Sequence, residues 1–330
     1  MNTFTLPSVT QAVVFTGLRQ VEYRAWEMNA TALGAQEIFG RTLATLISPG
    51  TELNCFYDQA KGKPAVGGYA AVWEVQAVGA GVTQVTVGQQ VFSLGKHMAH
   101  QRAGADAVLP VPDGLAAERA VFARLMGVSW STLTTTAARP PAGVLILGLG
   151  AVGNLAGQIF QAAGYRVVGV DPVESRRELA RQAGLTDVRG TLEGADLRDQ
   201  MALAIDCSGH EQAVLDACRI VRKGGEVVLV GVPWKKRAEL SVFDLLHPVF
   251  HRYIHLRSGW EWEVPMQPTD FAAGSMQGNL AAALLWLAQG RIRLDNLYRV
   301  LRPAQAQTAY DDLLHQRGEG LSVVFDWRDV

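Results

Sequence analysis

The sequence predicts an α/β chain built from a small irregular β-barrel domain and a doubly wound parallel sheet. Two observations carry this reading. Residues 11 to 115 hold short strand-like runs cut by closely spaced glycines and prolines, a turn density that suits a barrel rather than a parallel sheet. From residue 144 onward, short apolar runs alternate with helical patterns, which is the order of repeated βα units. At 330 residues, 48% of them apolar, the chain has material for two cores.

In the first part, strands are expected at Gln11–Thr16, Val21–Trp26, Arg41–Ile47, Val72–Ala77 and Gln89–Leu94. Gly34, Gly40, Pro49-Gly50, Gly67-Gly68, Gly79-Ala80-Gly81 and Gly88 divide them. After Pro110-Val111-Pro112-Asp113-Gly114, an apolar helical stretch runs over Ala116–Thr136. The second part opens with strand Val144–Leu147. Val152, Leu155, Ala156, Ile159, Phe160 and Ala163 then share one helical face, and Gly164 stands where a C-cap glycine belongs. Strand Tyr165–Val170, helix Glu174–Ala183, strand Met201–Asp206, helix Glu211–Val221, strand Glu226–Val232, a helix over Leu240–Phe250 and strand Tyr253–Ser258 follow. Helix Asn279–Gln289 and strand Leu321–Trp327 end the chain. That tail is too short for a domain, so it is expected to rejoin the barrel. The expected domains are 1–127 with 261–330, and 128–260.

The richest motif is Gly148-Leu149-Gly150-Ala151-Val152-Gly153, a GxGxxG between strand and helix, with Asp171 ending the next strand 23 residues after Gly148. Gly148 would make the tight turn, Gly150 would admit a pyrophosphate to the backbone, and Gly153 would let helix and strand pack closely. The phosphates would rest on the helix N-terminus. A carboxylate at Asp171 would accept from a ribose 2′-OH and repel a 2′-phosphate. The expectation is a dinucleotide-binding Rossmann domain that prefers NAD(H) to NADP(H). Ser208, Gly231 and Val232, at strand C-termini, are expected to line the cofactor. Arg176 would contact adenine or phosphate, or face solvent.

A net charge of −1 predicts no nucleic-acid partner and no anionic-membrane partner. MNTFTLPSVTQ lacks the layout of a signal peptide, no unbroken apolar run is long enough for a membrane span, and Cys55, Cys207 and Cys218 form no CxxC pair. A cytoplasmic protein without disulfides is expected.

The order of domains resembles the medium-chain dehydrogenase/reductase superfamily, the alcohol dehydrogenase type, and implies a GroES-like barrel beside the Rossmann domain. Ile205-Asp206-Cys207-Ser208-Gly209, Gly225-Glu226-Val227-Val228-Leu229-Val230-Gly231 and Val323-Val324-Phe325-Asp326-Trp327 also resemble it. Many members hold a catalytic zinc. Here Pro49, in Ser48-Pro49-Gly50-Thr51-Glu52-Leu53, stands at the first cysteine position. Tyr69, in Gly68-Tyr69-Ala70, stands for the ligand histidine, and Met126 falls near the third ligand. None is a usual zinc ligand, and the four-cysteine structural loop is absent, so no zinc is expected. The same elements resemble a zinc-less branch, the bacteriochlorophyllide a dehydrogenase type, which carries a histidine matching His97. Trp73 departs from the superfamily's usual glycine. The resemblance also implies a homodimer joined through edge strands of the Rossmann sheets.

Without zinc, the oxygen of an alcohol or carbonyl substrate needs a hydrogen-bonding acid or base. Tyr69 is the first candidate, against a barrel tyrosine whose hydroxyl is tied to backbone. Thr51 occupies the superfamily's proton-relay position, or is a turn threonine. His97 would complete a relay through the resemblance, with His100 its rival by sequence. The expected activity is zinc-independent, NAD(H)-dependent interconversion of a secondary alcohol and a ketone in the interdomain cleft. The alternatives are a quinone or enone reductase and a dinucleotide-binding protein without catalysis.

Overall fold

The computed structural model describes residues 5–59, 62–193 and 196–330. It divides into two units, Met1–Arg124 with Asn296–Val330, and Leu125–Asp295.

In the first unit, strand Val9–Gly17 pairs antiparallel with Gln20–Glu27 on one edge and Ala65–Val66 on the other. A second sheet orders Tyr298–Leu301, Ser322–Asp326, Glu37–Leu46, Ala71–Val78, Gln90–Ser93 and Leu109–Pro110, with His100–Gly104 also on Glu37–Leu46. Glu37–Leu46 is its spine. One edge serves His100–Gly104 over residues 37–41 and Ser322–Asp326 over residues 44–46. Register shifts at Phe39/Gly40 and Thr42/Ala44 bend the strand so that it can serve both. Val13, Phe15, Ile47 and Tyr57 pack with Tyr310, Val323, Phe325 and Trp327 in one core. The last turns of the chain therefore complete the barrel, as the short apolar tail predicts. Trp73 fits because position 40 is glycine: a Cβ there would sit 2.0 Å from the Glu74 carbonyl oxygen and 2.6 Å from the indole. The buried indole N–H donates to Ser93 at 2.9 Å.

The second unit holds six parallel strands in the order Asp187–Arg189, Arg166–Val170, Gly143–Leu147, Met201–Asp206, Glu226–Leu229 and His255–Ser258. The strand first in sequence, Gly143–Leu147, lies at the centre, which is the order of the doubly wound dinucleotide fold. Covered on both faces, its central strands must be apolar throughout, and Val144, Leu145, Ile146, Leu147, Leu203, Ala204 and Ile205 are all buried.

Two expectations need correction. Residues 261–295, assigned to the barrel domain, belong to the second unit. Helix Met276–Ala288 buries Leu280, Ala283, Leu284 and Leu287. Trp286 packs edge-on against Trp130 at 4.6 Å, and Gln158 exchanges hydrogen bonds with the backbone of Arg293 at 2.7 and 3.0 Å. A helical period shows that a helix has an apolar face but not which core receives it. The stretch Ala116–Thr136 is two helices, Ala117–Ala120 and Ala123–Thr135. Among the described residues, no helix is long and apolar enough to cross a membrane.

Candidate active site

The dinucleotide cradle forms at the C-terminal ends of the central strands. Gly148 adopts φ +83, a left-handed turn that glycine takes at least cost, and its N–H donates to the Val170 carbonyl at 2.8 Å. A Cβ at Gly153 would lie 1.8 Å from the Gly148 carbonyl oxygen, whereas one at Gly150 would meet nothing within 4 Å. Helix Ala151–Ala162 starts without a side-chain cap, so the N–H groups of its first turn are left for an anion. The backbone of residues 148–153 therefore has the shape and the open N–H groups that a dinucleotide pyrophosphate would need.

Asp171 is buried and does more than wait for a ribose. Its carboxylate accepts the Leu149 and Val173 N–H groups, both at 2.8 Å, and meets the Arg176 guanidinium at 3.5 Å. It thus holds the glycine loop to the end of the second strand. Each carboxylate oxygen has a further lone pair for a hydroxyl. Arg176 stands beside Asp171, so its nearest charge is the carboxylate.

Ser208, Gly231 and Val232 lie together against the loop. Ser208 is in contact range of any Cβ added at Gly148, and Val232 closes on Gly209. Asp206 organises them, a role that sequence reading left unassigned. It accepts from the Ser208 N–H at 3.0 Å, the Ser208 hydroxyl at 2.6 Å and the Gly209 N–H at 3.1 Å. Burial pushes the Asp206 carboxyl up, and the Ser208 hydrogen bonds pull against it. An acid followed by Ser-Gly at a strand end was the available signal, since such a side chain reaches back to nearby N–H groups.

In the first unit, Pro49 opens the one-turn helix Pro49–Glu52, where the missing N–H costs nothing. This turn puts Ser48 and Thr51 beside Tyr69. The Tyr69 hydroxyl donates to Ser48 Oγ at 2.6 Å and lies 3.2 Å from Thr51 Oγ1. The Arg124 guanidinium stands over the Tyr69 ring, 4.4 Å from its centroid. Burial pushes the Tyr69 phenol up, while Arg124 and the two hydroxyls pull it down. The Tyr69 hydroxyl is thus tied to side-chain hydroxyls, and not to the backbone.

The structure does not bring His97 into this group. Its ring is wholly buried, with Nε2 donating to Glu52 Oε2 at 3.0 Å and Nδ1 2.7 Å from Thr45 Oγ1. Thr45 Oγ1 already accepts the Trp327 indole N–H, so its own O–H is free to donate to Nδ1, and this network assigns the imidazole proton to Nε2. Glu52 also accepts from the Tyr310 hydroxyl at 2.5 Å and the Ser48 N–H at 2.8 Å. The Tyr310 phenol is pushed well up by burial and by Glu52. In place of the relay expected at His97 the structure has a buried clamp: Glu52 and Thr45 engage both ring nitrogens in the core, and Glu52 reaches Ser48, the partner of Tyr69, only at its backbone N–H. His100 is bound to Thr10 and stacked on Phe39.

Comparisons with known proteins follow this geometry. A family profile described as zinc-binding dehydrogenase matches residues 151–259. An alcohol dehydrogenase of Geobacillus stearothermophilus is 27% identical over 219 residues, covering 55% of this chain, which spans 65% of that relative's length. Acetophenone reductase from Geotrichum candidum NBRC 4597, solved in complex with NAD, superposes with a TM-score of 0.81 at 18% identity, covering 99% of this chain and 100% of that one. Galactitol-1-phosphate dehydrogenase from Escherichia coli gives 0.79 at 18% identity, covering 96% and 99%. The chain is similar to alcohol dehydrogenases and related enzymes of the medium-chain dehydrogenase/reductase superfamily. The superfamily's fold, a GroES-like domain with a Rossmann domain, is the fold of this chain.

The superfamily's catalytic zinc does not fit the residues at its positions. Pro49 has no side-chain donor, the Tyr69 hydroxyl is held by Ser48 and Thr51, and Met126 offers a buried thioether, outside the usual zinc donor set. Among the described residues, no group of three or more His, Cys, Asp or Glu is placed to hold a metal ion.

Proposed function

We propose that this chain is a zinc-independent oxidoreductase that interconverts a secondary alcohol and a ketone, using NAD(H) in preference to NADP(H). The observation that carries the reading is Tyr69, a phenol at a zinc-ligand position, hydrogen-bonded to Ser48 and close to Thr51 beneath a guanidinium. Asp171 at the end of the second strand supports NAD(H) over NADP(H), since a 2′-phosphate would meet a carboxylate. The Ser48–Leu53 and Gly68–Ala70 motifs place the chain, in our reading, in the zinc-less branch.

When bound, the nicotinamide accepts the carbinol hydrogen with its electron pair, or returns it to a carbonyl carbon. The protein manages the proton. In oxidation, the Tyr69 phenol first gives up its proton to water by way of the Ser48 or Thr51 hydroxyl, and the phenolate then takes the alcohol O–H proton as the ketone forms. In reduction, the Tyr69 hydroxyl donates it back. Ser48 and Thr51 hold that oxygen in place, and Thr51 offers the next hydroxyl along the path. Pairing as a homodimer through the outer strand His255–Ser258, and a cytoplasmic setting, belong to the same proposal.

The test is a cofactor-oxidation screen of the metal-free protein over ketones, secondary alcohols, sugars, polyols and enones. Turnover of ketones and alcohols with NAD(H), lost about 10²- to 10⁴-fold in Tyr69→Phe with NADH binding intact, is the expected result. Activity confined to enones or quinones would replace this reading with C=C reduction. Tight NADH binding without turnover of any class would leave a dinucleotide-binding protein.

A further inference from the structure

We propose that Arg124 is the positioning residue for Tyr69: its guanidinium, stacked on the phenol ring, fixes the direction of the hydroxyl and favours the phenolate that takes a proton from an alcohol. This rests on the reading of Tyr69 as the proton partner. It assigns to one arginine an electrostatic task that a metal ion performs elsewhere, holding negative charge on oxygen near the reacting centre.

The geometry carries the argument. Arg124 enters at the start of helix Ala123–Thr135, and only 4% of it is exposed. Its guanidinium carbon lies 4.4 Å from the Tyr69 ring centroid, inside the range in which a cation is drawn to an aromatic face. That attraction grows when the ring carries phenolate charge, so the contact favours the ionised form over the neutral one. Arg124 is buried and Tyr69 half-buried, so little water stands between them to screen the pair.

Each of the groups known to act on the Tyr69 phenol has a defined sign. From the Pro49–Glu52 turn, the Ser48 and Thr51 hydroxyls stabilise the phenolate, whereas the Glu52 carboxylate opposes it. From the Ala123–Thr135 helix, Arg124 stabilises it. Glu52 is already held by His97, Tyr310 and the Ser48 N–H, so its charge is turned into the barrel core. Arg124 supplies the positive charge of the set. The planar guanidinium also pins the ring, which a point charge would do less well.

The experiment follows the phenol directly. Tyrosine labelled with ¹³C at Cζ is titrated by NMR from neutral to alkaline pH, and the Tyr69 resonance is assigned by its loss in Tyr69→Phe. In Arg124→Met, the Tyr69 midpoint should move upward by about one pH unit or more. Arg124→Lys should recover most of that shift while broadening the resonance of the unpinned ring. The Lys variant keeps the test open should Met unfold the unit, since a smaller upward shift is still expected from it. A Tyr69 midpoint that stays put in folded Arg124→Met, or a midpoint and line width both unchanged in Arg124→Lys where Met does not fold, overturns the proposal. The pH profile of alcohol oxidation in the same variants reads the other question. A matching shift of the profile supports both assignments. A moved midpoint with an unmoved profile keeps the pairing and removes Tyr69 from the reaction, and with it the positioning role.

Discussion

At the residue scale, two aromatic or imidazole groups from one neighbourhood have opposite fates. Tyr69 keeps its oxygen among hydroxyls, while His97 spends both ring nitrogens on Glu52 and Thr45. Removing the imidazole leaves the buried Glu52 carboxylate one hydrogen bond short, so His97→Leu should lower stability by about 1–3 kcal/mol in urea denaturation, with NADH binding kept. A variant of normal stability that has lost turnover would restore His97 to the mechanism. Asp171 holds the loop and is proposed to bind the ribose, and the two jobs can be separated. Asp171→Asn still offers an acceptor to the Leu149 or Val173 N–H but no charge against a 2′-phosphate. Its NAD-to-NADP ratio of kcat/KM should fall about tenfold or more, which corresponds to about 1.4 kcal/mol. An unchanged ratio would remove Asp171 from cofactor choice. The proposed ribose role comes from the sequence because an acid at a strand end is a positional signal. Its grip on the Leu149 and Val173 N–H groups was not, because hydrogen-bond partners follow from loop geometry.

At the element scale, the strand–loop–helix from Gly143 to Ala162 depends on contact between backbones. The Gly153 position faces the Gly148 carbonyl oxygen at 1.8 Å from an added Cβ, so even Gly153→Ala must push the helix off the strand. Overpacking of this kind costs about 1–3 kcal/mol, and the displaced N–H groups should weaken NADH binding about ten- to a hundredfold. Fluorescence titration of NADH measures this, and undiminished affinity would show that the close approach is dispensable. Gly150→Ala makes no such clash within the protein, so it is the matched control for the stability loss but not for NADH affinity, because a pyrophosphate would approach Gly150. The sequence already gives the two glycines different tasks, Gly150 toward the pyrophosphate and Gly153 toward helix–strand packing. The structure adds the distances: one borders backbone and the other borders nothing within 4 Å. Helix Met276–Ala288 marks the limit of such reading at larger size: its apolar period was legible, but Trp130 and Gln158, distant in sequence, decide which core receives it.

At the scale of the whole molecule, each unit closes its own core with late segments of sequence, the barrel with Ser322–Asp326 and the parallel sheet with residues up to 295. Burial in the second core pushes the Cys218 thiol from 9.0 up to about 11. A group whose folded value is raised stabilises the fold fully below its ordinary value and loses that contribution as pH climbs through the folded one. Thermal stability should therefore fall between about pH 9 and pH 11. In Cys218→Ala this alkaline fall should be shallower, set against about 1 kcal/mol lost at all pH to the missing volume. Melting curves of the two proteins that stay parallel across that window would rule the thiol out as a source of alkaline sensitivity.

The sequence alone determined the strand–helix alternation, the glycine loop and Asp171, since each is a local pattern whose meaning depends on spacing along the chain. It also showed that Pro49, Tyr69 and Met126 are poor zinc ligands, because that is chemistry of side-chain type. Tertiary structure decided the rest. It buried His97 against Glu52 and Tyr310, set Tyr69 between two hydroxyls and under Arg124, and drew residues 261–295 into the Rossmann unit. All of these are contacts between residues far apart in sequence, made specific only when packing brings them together.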